Sequence, residues 1–192
     1  MADIPELTAP QIKVEIQEEL TPDEIKAEMV EMAKPIVDPV PLIDRLITAM
    51  PVVELFKRQV DMFQREQNIT PITSPLYMQF QIMKDYHRDL MKIQTDKLRR
   101  LATEPVNQMI EALGLVDDGD DHGPDLKNLN EIKEWVVNCH KMMEWGLEKN
   151  LSTGPPTMQV LEEYRQCFLG YKMLIRGALK AILFFIDALE ED

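Results

Sequence analysis

The stretch DDGDDHGPD, residues 117–125, sets five aspartates around His122 with no lysine or arginine among them. Carboxylates and an imidazole at this density are the donor types of a divalent-cation site. An EF-hand loop needs oxygen ligands at its positions 1, 3 and 5, glycine at 6 and a bidentate glutamate at 12. Counted from Asp118, positions 3, 5 and 6 are Asp120, His122 and Gly123, but position 7 is Pro124 and position 12 is Leu129. The closing ligand is missing. The stretch therefore reads as an acidic connector: Gly114 ends the helix before it, and Asp125 or Asn128 caps the next, with Glu131 at capping-box spacing from Asn128.

The other reactive residue types form no constellation. His87, His122 and His140 lack the Glu-x-x-His spacing of a di-iron bundle. Cys139 and His140 are adjacent, and neighbours on a helix point about 100° apart, so they cannot serve as nucleophile and base. No zinc-protease helix, phosphate-cradling loop, dinucleotide fingerprint or nucleophile elbow occurs. The expectation is a non-catalytic protein with no metal, no cofactor and no small-molecule substrate.

Charge narrows the partners. The chain has 34 acids and 21 bases, a net charge of -13, which opposes nucleic acid and anionic membranes. Residues 1–40 carry -7, residues 41–116 carry +1, residues 117–131 carry -5, and the remainder carries -2. An acidic arm beside a near-neutral body suggests contact with a basic surface. Two cysteines, Cys139 and Cys167, and an opening with Asp3, Pro5, Glu6 and Pro10 fit an intracellular (cytoplasmic) protein with reduced thiols, or a component of a viral particle.

The elements that must position any site are helical. Ile12, Val14 and Ile16 alternate with polar residues, a strand period with no second strand to pair it, so residues 1–20 read as an extended or disordered acidic arm. Within it IKVE at 12–15, and after it IKAE at 25–28, fit the hydrophobic-Lys-x-Glu pattern of the modifier SUMO, a short pattern of low specificity. Residues 21–192 read as one helical domain. Thr21 with Pro22 and Glu24, and Ser74 with Pro75, are helix starts; TEPV at 103–106 and GPPT at 154–157 look like further ones. Pro51 separates two helices or kinks one. The expected helices are 22–34, 40–49, 51–67, 75–101, 105–113, 126–149 and 156–189.

The last of these is the strongest. Leu161, Tyr164, Phe168, Tyr171, Ile175, Ala178, Ile182, Phe185 and Leu189 step by three and four without a break, while Leu179, Leu183 and Phe184 lie off that stripe. Lys172, Arg176, Lys180 and Asp187 exclude a membrane span. Lys84, Arg88 and Lys92 recur every four residues beside Asp85, Asp89 and Asp96, which predicts a salt-bridged solvent face.

The fold class expected is all-α, a multi-helix bundle around a long C-terminal helix with an extended acidic arm. The function expected is that of a structural or assembly subunit of a virus particle or other multi-protein machine, binding other subunits, itself included, through Ile12, Val14 and Ile16 of the arm and Leu179, Leu183 and Phe184 of the last helix. The alternative is an acidic adaptor or chaperone that holds a basic partner reversibly by charge.

Overall fold

A computed structural model of the chain describes residues 19–116 and 124–190, and the described residues are all-helical. Five helices run in order: α1 Pro22–Ala33, α2 Val40–Asn68, α3 Pro75–Leu113, α4 Leu129–Ser152 and α5 Met158–Ala188. The arm residues Ile12, Val14 and Ile16, and most of the acidic connector 117–125, lie outside the described residues.

Side-chain caps start three of the helices where the sequence places them. Thr21 and Glu24 close a reciprocal capping box at α1, each accepting the other's backbone N–H at 3.3 Å. Ser74 Oγ accepts from Leu76 N at α3, and Asn128 Oδ1 accepts from Glu131 N at 2.9 Å at α4. At α5 the cap is Thr157, so the prolines of GPPT precede the helix instead of opening it. Gly114 ends α3 at φ 65°, the left-handed conformation that glycine adopts without penalty.

Two expected boundaries are absent. Pro51 lies inside α2 and Pro105 inside α3, so four expected helices are two. Each proline removes one backbone donor. Packing on both sides offsets that loss: Leu46 and Val53 are buried around Pro51, and Ala102 and Val106 around Pro105. Thr103, expected near a helix start, instead donates its hydroxyl to the Arg99 carbonyl at 2.6 Å within the running helix.

The core is one cluster around α5. Ile175, Ala178, Leu179 and Ile182 are fully buried there, against Ile25 and Met29 of α1, Ile43 and Leu46 of α2, Ala102 and Val106 of α3, and Ile132 and Val136 of α4. α4 and α5 are antiparallel: Trp135 Nε1 donates to the Leu174 carbonyl, and the Tyr164 hydroxyl to the Met143 carbonyl at 2.9 Å. Ion pairs fasten the rim. Arg165 of α5 grips both carboxylate oxygens of Glu28 on α1, and Arg99 of α3 reaches Asp187 and Glu190 at the end of α5. That guanidinium holds the Glu190 carboxyl below its ordinary value. No helix among the described residues is long and apolar enough to cross a membrane.

α2 and α3 outrun this core. No residue between Val53 and Leu98 belongs to its buried cluster. From there to the turn at 69–74 the two helices continue as an antiparallel pair, extending about 25 Å past the bundle at 1.5 Å per residue.

Candidate interaction surface

The hairpin holds itself together along a single seam. Phe56, Val60, Phe63 and Gln67 of α2 face Phe80, Lys84 and His87 of α3. Ring centroids are 6.4 Å apart for Phe63 and Phe80 and 5.2 Å for Phe63 and His87. The Nδ1 of His87 is 2.8 Å from the Met83 carbonyl, to which it can only donate, and its ring also meets Phe56 and Tyr86. Here the histidine is packing material.

One polar layer interrupts this apolar seam. Lys84 is 7 % exposed and its ammonium donates to the side-chain oxygens of Gln64 at 2.9 Å, Gln67 at 2.9 Å and Gln81 at 3.2 Å. Gln67 in turn donates to Gln81, which donates to Asp85. The expected solvent-facing row Lys84, Arg88, Lys92 is therefore wrong for its first member, because a spacing of four does not reveal which position meets a neighbouring helix. A slip of one turn towards the bundle would carry the ammonium from Gln64 and Gln67 to Val60 and Phe63, so the layer fixes the register of the pair.

Outside the seam the hairpin has two unlike sides. On α2, Val52, Leu55, Met62 and Ile69 are exposed at intervals of three, seven and seven; on α3, Leu76, Met83, Tyr86 and Ile93 at seven, three and seven, with half-buried Leu90 between. Positions seven apart are nearly in line on a helix. Each row is offset from its seam row in the same rotational sense: Leu55 precedes Phe56 and Met62 precedes Phe63, as Met83 precedes Lys84 and Tyr86 precedes His87. Two antiparallel helices viewed from one end wind in opposite senses, so equal offsets bring both rows to one side of the hairpin. Gln59, Glu66 and Gln79 are the polar interruptions. The other side bears Glu54, Lys57 and Asp61 against exposed Met78, Asp85 and Lys92, while Arg58 and Arg65 of α2 and Ile82 and Asp89 of α3 stand at the back of their helices, away from the seam.

The tip is apolar as well. Ile69 is 78 % exposed and Ile72, in the turn, 81 %. Isolated exposed apolar residues are ordinary, but a contiguous row along two helices is the mark of a surface that is covered in use.

The residues expected on α5 do not form such a surface. Leu179 is fully buried in the chain's own core, Leu183 is half-buried, and Phe184 alone is open, 73 % exposed. Five positions on a helix put Leu179 and Phe184 about 140° apart, so they serve different sides. The all-round apolar character of α5 arises because α1, α3 and α4 all pack on it. Of the tetrapeptide 25–28, Ile25 is 1 % exposed and Glu28 is held by Arg165, so both of its recognition residues are engaged within the fold.

Chemistry elsewhere is sparse. Burial pushes the Cys139 thiol up to about 11, which keeps it protonated and poorly nucleophilic at neutral pH. Among the described residues no group of three or more His, Cys, Asp or Glu could hold a metal ion. Comparison of the chain with protein-family models, with curated proteins and with solved structures finds no match.

Proposed function

We propose that this protein is a non-catalytic assembly subunit whose docking arm is the α2–α3 hairpin. The observation that carries the reading is the two-helix apolar row from Val52 to Ile69 and from Leu76 to Ile93, exposed along its length and backed by a seam with its own register lock. A hairpin that served only to close the bundle would have no need to continue past Val53 and Leu98 or to keep large apolar side chains in water. The rest of the molecule acts as a platform: its core is closed around α5, and the hairpin's near-neutral charge leaves the face free of strong repulsion.

The acidic-adaptor alternative draws on a different feature, the -7 carried by residues 1–40. Salt separates the two readings, because exposed charge contacts are screened and apolar contacts are not. The tagged full chain and a Met62→Glu/Met83→Glu variant would be recovered from its natural source, with bound proteins eluted at low and high salt. Complexes that survive high salt and vanish in the variant support the docking arm. Complexes that dissolve with salt, equally in both proteins, support the adaptor instead.

A further inference from the structure

We infer that the occupant of the hairpin's apolar face is the same face of a second copy, the two hairpins stacking into a four-helix layer between two outlying bundles. This rests on the reading of that face as the docking surface, and names what docks.

Size is the first support. The eight exposed apolar side chains of the two rows are each 38–78 % exposed. Together they present on the order of 700 Å², beyond the largest patch of an ordinary monomer. Two such faces would bury about 1,400 Å² in total, inside the range of standard specific interfaces.

Shape is the second. The rows are level with one another: Ile69 and Leu76 lie beside the turn, and Val52 and Ile93 lie where the hairpin meets the bundle. An antiparallel pair of helices with two level rows is what a copy of itself covers without remainder, each knob row filling the groove between the other's helices. On α3 the contact with the bundle leaves this face open, since Asp96 and Arg99, through which α3 meets the end of α5, lie on the other side of the seam row from Met83 and Tyr86.

Charge is the third. The chain's acidic excess would drive copies apart, yet it resides in residues 1–40 and 117–131, while residues 41–116 sum to +1. Within the rows Glu66 is charged, and Arg58, Arg65 and Asp89 border them at three- and four-residue spacing, two acids against two bases, so the face carries no net excess of either sign.

Met62 and Met83 sit near the middle of the two rows and opposite one another across the hairpin, so they meet the partner copy whichever way it lies. The test uses the purified full chain with light scattering after size exclusion at tens of micromolar. The wild type is expected at twice the chain mass at low and high salt. Met62→Glu/Met83→Glu and Met62→Lys/Met83→Lys are each expected at the mass of a single chain, with unchanged helical circular dichroism. Mixing the two variants is expected to restore the doubled mass at low salt. A wild type of single-chain mass overturns self-docking, and so does a dimer untouched by either pair of substitutions. If the wild type is single but complexes from its source still depend on Met62 and Met83, self-docking fails while the docking-arm reading stands.

Discussion

Lys84 and Gln67 are both buried and meet across the α2–α3 seam, ammonium to amide oxygen at 2.9 Å. A charged donor here is served by neutral acceptors alone, those of Gln64, Gln67 and Gln81. That makes the two partners unequal. Gln67→Leu strips the ammonium of one acceptor in a buried setting and is expected to cost about 1–3 kcal/mol. Lys84→Met removes the charge, keeps the apolar stem, and leaves Gln67 bonded to Gln81, so a smaller loss is expected. Urea melts of both variants check the order. A costlier Lys84→Met would mean that the ammonium itself, and not its need for acceptors, holds the pair.

Two of the three apolar residues that stand off the α5 stripe behave oppositely. Leu179→Ala opens a cavity in the closed core and is expected to cost about 2–5 kcal/mol. Phe184→Ala removes a side chain that is 73 % exposed and is expected to stay within about 0.5 kcal/mol of wild type. Thermal unfolding of the two variants reads this directly. Equal losses would mean that α5 does not pack as described.

Alkaline pH tests the core chemically. Burial raises the Cys139 thiol from 9.0 to about 11, and the Tyr164 and Tyr171 hydroxyls from 10.0 to about 12. Between the lower and upper values the unfolded chain releases protons that the folded chain keeps. Stability therefore is whole below pH 9 and falls as pH rises towards 12. Melting temperature measured from pH 8 upward should decline, and Cys139→Ala should remove the part of the decline that begins near pH 9. A flat profile would show the thiol and the hydroxyls to be solvated. At pH 8 a thiol reagent should meet exposed Cys167 quickly and Cys139 only after unfolding.

Much of this fold is legible in the chain, because caps and heptad stripes are local. Thr21 with Glu24, Ser74, and Asn128 with Glu131 each act where their spacing places them. The unbroken stripe from Leu161 marks the helix about which the core forms. Proline misleads, since Pro51 and Pro105 read as boundaries only if the energy of packing on either side is left out. Lys84 misleads for a related reason: its burial depends on which face α3 turns to α2, a tertiary fact. The α5 residues Leu179 and Leu183 are apolar because three other helices surround them, not because they face outward. The hairpin row did leave a trace, the seven-residue spacing of Leu55, Met62 and Ile69. Gln59 and Glu66 break it, and its meaning emerges only when both helices are seen to share a side.

α2 and α3 pass from the bundle into the hairpin without interruption, and α3 alone measures about 58 Å at 1.5 Å per residue. The molecule thus contains a strut. An attachment at the bundle and another at the tip would be kept at a set separation, and a small tilt at the root would become a large sweep at Ile72. Pro51 stands at that root on one of the two rods, two residues before Val53, the last core residue of α2, where a backbone hydrogen bond is lost. The strut has its softest point at its anchorage, so it would swing as a unit before it bent along its length.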